Sequence, residues 1–223
     1  MICIIPARGG SKRIAHKNIV DVGGKPLITY TIEAAIESKS FEKIIVSTDS
    51  ADIAAKVRSY PVIIHNRPRE LSTDRATVKE VCLHLLNEQA ESYEHFCCLY
   101  PTAALRSAAD ISAVCELVTS GKSNFAVAVT EYDLPFHQGL YLDSSGNIDP
   151  VFPRQIQLKS TETRRVVIDN GSTYAAKVSE FINQRTFIGK NTMAYWMPRE
   201  RSVDVDDPID LEWLKFLISR SGH

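Results

Sequence analysis

The sequence lacks any apolar run approaching the ~20 residues needed to cross a bilayer. Its N-terminus also lacks the basic, apolar and small-residue order of a secretion signal, so we expect a cytoplasmic protein that binds no membrane. The formal net charge of -1 provides no broad basic field, which argues against nucleic acid as a partner. The five cysteines form no C-x-x-C pair, and we expect buried thiols at Cys3, Cys82, Cys97, Cys98 and Cys115.

Internal repeats and low-complexity segments are also missing, and 223 residues that are 44% hydrophobic suit one domain over 1–223. Apolar runs alternate with segments of helical periodicity, which predicts an α/β fold with a mostly parallel sheet and helices on both faces. Strands are predicted at 2–5, 43–47, 62–64, 96–100, 125–129, 172–176, 193–197 and 202–205. Helices are predicted at 26–36, 50–57, 77–90, 107–119, 178–183 and 208–219.

The segment 131–168 breaks this alternation. Proline, asparagine, serine and glycine separate short apolar pieces there, and residues 143–147 have the composition of a hairpin turn. We therefore expect a small lobe that protrudes from the sheet within the single domain.

A glycine-rich basic loop follows the first predicted strand. It contains no phosphate-binding G-x-x-x-x-G-K-[ST], and Gly23-Gly24 does not complete a dinucleotide-binding G-x-G-x-x-G. Glycines after a strand can turn backbone N–H groups toward an anion, and the surrounding basic side chains concentrate positive charge. The loop is predicted to hold a triphosphate through Arg8, Gly9, Gly10, Ser11, Lys12 and Lys17, with Arg13 nearby. A solvated basic turn is the alternative.

Two aspartates near the end of the sequence form a second candidate site. In a strand, Asp204 and Asp206 would project from the same face, whereas Val203 and Val205 would point to the other. Paired carboxylates are typical ligands of Mg²⁺, which usually adds substrate phosphates and water. Helix capping by Asp206 or Asp207 ahead of Pro208 is compatible with this hypothesis.

The segments IIPARGGSKRIAHKNI, KIIVSTD, RPRELSTD, LYPTA, DNGSTY and SVDVDDPIDL occur in this order along almost the whole chain. Together they resemble the acylneuraminate cytidylyltransferases, or CMP-sialic acid synthetases. Tyr100 before Pro-Thr resembles the sequence of the pseudaminic acid branch of this family, and the legionaminic acid enzymes are grouped with that branch here. The stretch 167–171 departs from the sequence pattern of that branch, so the identity of the acidic sugar substrate stays open.

The resemblance implies a Rossmann-like nucleotidyltransferase fold, CTP and an acidic nine-carbon sugar as substrates, and Mg²⁺ as cofactor. It also implies a homodimer formed through the lobe. By motif, the triphosphate would be held by Arg8, Ser11, Lys17 and Asn18. The cytosine would contact Arg67 and the backbone of Ala76, and the metal would be bound by Asp204 and Asp206. The sugar side would include Tyr100, Thr102, Arg165, Asn170, Gly171 and Tyr174.

The implied reaction is attack of the sugar's anomeric hydroxyl on the α-phosphate of CTP, with loss of pyrophosphate. Arg8 and Lys17 would stabilise developing charge, and Asp206 is our hypothesis for the general base. Arg154, Arg164 or Arg165 could pair with the sugar carboxylate. The alternatives are a Kdo-type or other sugar nucleotidyltransferase, a metal-dependent glycosyltransferase and a non-catalytic nucleotide-sensing module.

Overall fold

Eleven strands and six helices make up the regular structure, in a computed structural model that describes residues 1–89, 93–132, 135–159, 162 and 164–221. The strands are β1 (Ile2–Pro6), β2 (Asp21–Val22), β3 (Lys25–Pro26), β4 (Lys43–Thr48), β5 (Ile63–Asn66), β6 (His95–Leu99), β7 (Phe125–Glu131), β8 (Leu140–Leu142), β9 (Ile148–Pro150), β10 (Val167–Lys177) and β11 (Thr192–Trp196). The helices are α1 (Leu27–Ser38), α2 (Ala51–Val57), α3 (Val78–Gln89), α4 (Ala108–Thr119), α5 (Val178–Gln184) and α6 (Pro208–Ser221).

Seven of the strands form one sheet in the order β11-β7-β10-β6-β1-β4-β5. All neighbouring pairs are parallel except those of β10, which runs antiparallel to both β6 and β7. The α/β class and the mostly parallel sheet are therefore confirmed. The N-terminal strand β1 lies centrally, between β4 and β6, so the loop that follows it opens at the middle of the sheet's carboxyl edge.

Helices cover both faces of this sheet. Alternate residues of β1 enter different hydrophobic clusters, with Ile4 packed toward Phe96 and Phe181, and Ile5 toward Ile28 and α1. The five cysteines are all buried, as predicted. None of the described helices is long and apolar enough to span a membrane.

Several helix starts follow directly from local sequence. The hydroxyl of Ser50 accepts a hydrogen bond from the backbone N–H of Ile53 at the start of α2. At α4, Ser107 and Asp110 form a reciprocal capping box. These helices begin within about one residue of the predicted positions, and the predicted residue 90 of α3 lies outside the described residues.

The predicted strand at 202–205 is wrong. A 3-10 turn covers Arg199–Arg201, and residues 202–207 then continue without helix or strand structure to α6. The N–H of Val205 donates to Thr102 O at 3.4 Å, and the Val205 side chain is buried against Leu214 of α6. The alternation of valine and aspartate reflects this burial of Val205, because the segment pairs with no strand.

The segment that follows β7 leaves the main sheet. Strands β8 and β9 form a separate antiparallel hairpin, and Asp143 accepts backbone hydrogen bonds from Ser145 and Asn147 in its turn. The hairpin exposes Tyr141 and Leu142, at 65% and 73% of their accessible surface. Strand β10 begins at Val167, so the last residues of the predicted lobe belong to the sheet.

Candidate active site

The loop after β1 forms one wall of a cavity of about 270 Å³ at the carboxyl edge of the sheet. Its lining includes five of the predicted nucleotide-binding residues: Arg8, Lys17, Asn18, Arg67 and Ala76. Thr102 and Tyr100, predicted on the sugar side, close its other end.

The basic side chains of the loop all contact aspartates. Asp74 accepts from Arg8 Nη1 at 2.9 Å and pairs with Lys12 Nζ at 2.6 Å. Hydrogen bonds from Lys12 and Arg8 hold the pKa of Asp74 below its usual value. On the opposite side, Asp206 lies 3.1 Å from Lys17 Nζ and 3.4 Å from Arg13 Nη2. A polyanion entering here would therefore compete with two carboxylates for four cations.

Backbone and amide groups of the same loop are also oriented by the fold. The N–H of Gly9 donates to Asp49 Oδ1 at 2.8 Å, and a Cβ at Gly9 would come within 2.8 Å of Ser50 Cβ. The Asn18 amide donates to the carbonyl of Arg8 at 2.8 Å, while its buried Oδ1 has no hydrogen-bond partner among the described residues. Since a buried acceptor without a donor is costly, Asn18 Oδ1 suits a ligand hydroxyl or amino group.

Arg67 is buried, with 7% of its surface exposed, although a lone loop arginine is mostly an exposed residue. Its Nη2 donates to the carbonyl of Ser47 at 2.7 Å, and its Nε to the Ser47 hydroxyl at 3.3 Å. Burial lowers the pKa of Arg67 from its ordinary value. These bonds orient the guanidinium in the wall of the cavity.

The two predicted metal ligands lie beside this cavity in different surroundings. Asp204 is half-buried and accepts from the Thr102 hydroxyl at 2.5 Å, whereas Asp206 is exposed. Burial raises the pKa of Asp204, and the negative charges of Asp206 and Asp210 raise it further. The hydrogen bond from Thr102 and the charge of Lys17 lower it, but the pKa stays above its usual value. Three carboxylates thus act on one another, and a divalent cation with oxygen preference fits this donor set.

Gly171 holds the backbone of β10 close to Asp204. Its φ is +65°, and an added Cβ would lie 2.5 Å from Asp204 Oδ2. No residue with a side chain could occupy this position without displacing the Asp204 carboxylate.

A larger cavity of about 710 Å³ adjoins the first one, and Tyr100 lines both. Asn170, Gly171 and Tyr174, which are predicted on the sugar side, line it together with Asp204. The Tyr174 hydroxyl lies 2.8 and 2.9 Å from the two oxygens of Asp169, and its ring centroid is 5.1 Å from that of Tyr100. Burial, with the charge of Asp169, raises the pKa of Tyr174 and keeps the phenol protonated.

Arg165 does not line either cavity; its guanidinium lies over the ring of Trp196, 4.3 Å from the centroid. The residues Gly9, Gly10, Ser11 and Lys12 lie in the loop but outside the cavity lining. Sequence reasoning missed several residues of the larger cavity: Tyr132, Asp169, Arg199, Asp210 and Trp213. Their signal was weak, because each is a single polar or aromatic residue in a loop, on a helix or, for Asp169, on strand β10.

Comparison with known proteins identifies the family. A family model described as cytidylyltransferase matches residues 2–141. A pseudaminic acid cytidylyltransferase of Campylobacter jejuni is 32% identical over 97% of this chain and 95% of its own length. The CMP-N,N'-diacetyllegionaminic acid synthase of Legionella pneumophila is 32% identical over 94% and 92%. An N-acylneuraminate cytidylyltransferase of Escherichia coli is 36% identical over 95% of this chain but 50% of that protein.

Solved structures support the fold at lower identity. The CMP:2-keto-3-deoxy-manno-octonic acid synthetase complexed with CTP has a TM-score of 0.74 at 15% identity, covering 99% of this chain and 98% of that one. The 4-diphosphocytidyl-2C-methyl-D-erythritol synthase of Anaerococcus prevotii has a TM-score of 0.68 at 12% identity, covering 98% and 96%. The Rossmann-like nucleotidyltransferase fold is therefore confirmed, and the chain belongs to the cytidylyltransferase family.

Proposed function

We propose that the protein transfers CMP from CTP to the anomeric hydroxyl of a sialic-acid-like nonulosonic acid and releases pyrophosphate. The observation that carries the proposal is the junction of the two cavities, where Lys17 of the basic loop contacts Asp206 and Thr102 contacts Asp204. A nucleotide in the smaller cavity and a sugar in the larger one would meet there. The relatives named as cytidylyltransferases of acidic nine-carbon sugars support this assignment.

The smaller cavity would bind CTP. The triphosphate would replace Asp74 and Asp206 as partner of Arg8, Lys12 and Lys17, so that two half-buried cations and the exposed Lys12 neutralise it. Arg67, oriented by Ser47, and the backbone near Ala76 would face the base. Such a transfer depends on alignment and on neutralising charge, and these residues supply both.

The carboxylates Asp204 and Asp206 would hold Mg²⁺. When bound, Mg²⁺ offsets negative charge on phosphate oxygens. Thr102 fixes one oxygen of Asp204, and Gly171 leaves room for the other. Asp206 would take the proton of the attacking hydroxyl, because it is exposed at the junction where both substrates meet.

The larger cavity would bind the sugar. Four carboxylates contribute to its lining, Glu131, Asp169, Asp204 and Asp210, and among the described lining residues Arg199 carries the positive charge. We therefore assign Arg199 as the partner of the sugar carboxylate in place of Arg165, which lies over Trp196. Asn170, Tyr174 and Tyr100 would contact the sugar's hydroxyl and acylamino groups.

The Kdo-type alternative shares the fold at 15% identity, whereas the relatives above 30% identity are named for nonulosonic acids. A glycosyltransferase or a nucleotide-sensing module has no comparable support. The homodimer and the cytoplasmic location stay predictions. Exposed Tyr141 and Leu142 on the β8–β9 hairpin are a suitable apolar contact for a second copy, and light scattering of the wild type and Leu142→Glu would test it.

The experiment is a panel of nucleotides and acidic sugars with detection of pyrophosphate. We expect release with CTP, Mg²⁺ and a nonulosonic acid together, and none when any one is omitted. Equal turnover with UTP would contradict the cytidine assignment, and equal turnover with Kdo would favour the eight-carbon alternative.

A further inference from the structure

A second cluster of metal-binding side chains lies away from the carboxylate pair. His65 at the end of β5 and His84 and Glu88 on α3 each present one ligand atom, and these atoms all lie within 4.8 Å of one another. The His84 Nε2 is 3.3 Å from Glu88 Oε1, and His65 Nε2 is 3.7 Å from Glu88 Oε2.

These separations suit a tetrahedral transition-metal ion. Two ligand atoms at the usual ~2.0–2.1 Å from zinc are separated by ~3.3 Å in a tetrahedral site, so the His84–Glu88 distance needs almost no change. The His65–Glu88 pair, at 3.7 Å, needs only a small rotation of the half-exposed Glu88 side chain. The ligand atoms of His65 and His84 lie within 4.8 Å of each other, and the partly exposed His84 side chain can rotate toward His65. Residues 84 and 88 are four positions apart and therefore share one face of α3, facing the strand that carries His65.

The third ligand, His65, is held in place by a hydrogen bond to Ser47. The Nδ1 of His65 lies 3.1 Å from the hydroxyl of buried Ser47, which also accepts from Arg67. A hydroxyl oxygen can accept from both, and Nδ1–H then leaves the Nε2 lone pair directed at Glu88 and His84. An oxygen partner on the second ring nitrogen is the usual feature of a metal-ligating histidine.

We propose that His65, His84 and Glu88 form a site for a divalent transition-metal ion of the zinc type, separate from the carboxylate pair assigned to Mg²⁺. Two imidazoles and one carboxylate are the ligands that such an ion prefers, whereas Mg²⁺ prefers oxygen. The five cysteines are buried and offer no competing thiolate site. The ion would connect the edge strand β5 to α3, whose first turn lines the nucleotide cavity through Val78 and Val81.

The test is a Co²⁺ titration of the untagged, metal-free chain in excess Mg²⁺, which occupies the carboxylate pair. We expect visible d–d absorption that saturates at one Co²⁺ per chain and is displaced by Zn²⁺. His84→Gln and Glu88→Gln should each weaken Co²⁺ binding at least about 10-fold, with circular dichroism unchanged.

Glu94→Gln is the matched control, because Glu94 is an exposed carboxylate close in sequence to α3 but outside the cluster. It should bind Co²⁺ as the wild type does. Failure of the wild type to give saturable absorption, or equal affinity of Glu88→Gln and Glu94→Gln, would overturn the proposal. Neither result depends on whether the protein uses CTP.

Discussion

The ammonium nitrogen of Lys17 lies 3.1 Å from Oδ1 of Asp206, although 189 positions separate the two residues in the sequence. The same nitrogen donates to the carbonyl of Val205 at 2.8 Å. The loop after the first strand and the segment before the last helix therefore meet at one point. This contact joins the proposed triphosphate site to the proposed metal site.

Replacing Lys17 by Met should lower kcat for pyrophosphate release by about 10²-fold, because a preorganised cation at the reacting phosphate is lost. Lys56→Met, a change of an exposed lysine on α2, is the control and should leave kcat unchanged. Steady-state kinetics at saturating CTP would check this, and wild-type kcat in Lys17→Met would contradict the role of the lysine.

Gly171→Ala should raise the Mg²⁺ concentration needed for half-maximal activity by about 10-fold, because the new Cβ would displace the Asp204 carboxylate. Gly146→Ala is the control that distinguishes the effect of this contact from the effect of backbone strain at a positive φ. Gly146 has a φ of +86° but no atom near the added Cβ, and it lies in the hairpin turn of the lobe. Equal Mg²⁺ dependence in the two variants would argue against Gly171 as the spacer for Asp204.

Arg199→Gln should raise KM for the sugar by about 10- to 100-fold, the usual effect of losing a hydrogen bond between charged groups. KM for CTP should change little, because Arg199 lines only the larger of the two substrate cavities. Arg165→Gln is the matched control. A larger sugar KM in Arg165→Gln than in Arg199→Gln would reverse the assignment.

Asp110→Asn should reduce the free energy of unfolding by about 1–3 kcal/mol at neutral pH. Burial tends to raise the pKa of Asp110, but hydrogen bonds from Ser107 and Arg201 outweigh it and hold the pKa below its usual value. Since the folded pKa is the lower one, this stabilisation is present above the unfolded pKa of about 3.9 and is lost as the pH falls through the folded pKa.

Urea unfolding of the wild type and Asp110→Asn at several pH values would measure this. The difference in stability should shrink in acid, while Asp149→Asn, a change of an exposed aspartate on β9, should match the wild type throughout. A difference that is independent of pH would mean that the charge of Asp110 contributes nothing.

Much of the fold could be predicted because its signals are local. Capping at Ser50 and Ser107 and the apolar run of β1 fix their elements without reference to the rest of the chain. The direction of β10 had no such signal, since a buried strand has the same composition in parallel and antiparallel pairs. The strand predicted at 202–205 is wrong because burial of Val205 against Leu214 of α6 produces the same alternation as a strand.

The site was predictable where residues form a compact motif, as in the basic loop and the aspartate pair. Arg67 shows what the sequence could not predict. An arginine in a loop is usually exposed, whereas burial of Arg67 depends on its hydrogen bonds to Ser47, twenty positions earlier. Arg199 reaches the larger cavity through the tertiary fold, and its neighbours in the sequence carry no trace of its position, whereas Asp169 directly precedes the predicted Asn170 and Gly171.

A crystal structure of the protein with CTP and Mn²⁺, which substitutes for Mg²⁺ and scatters anomalously, would test the proposed active site most directly. We expect an anomalous peak between Asp204, Asp206 and the triphosphate, with the phosphates contacting Arg8 and Lys17. A nucleotide bound away from the basic loop, or a metal peak distant from both aspartates, would contradict it.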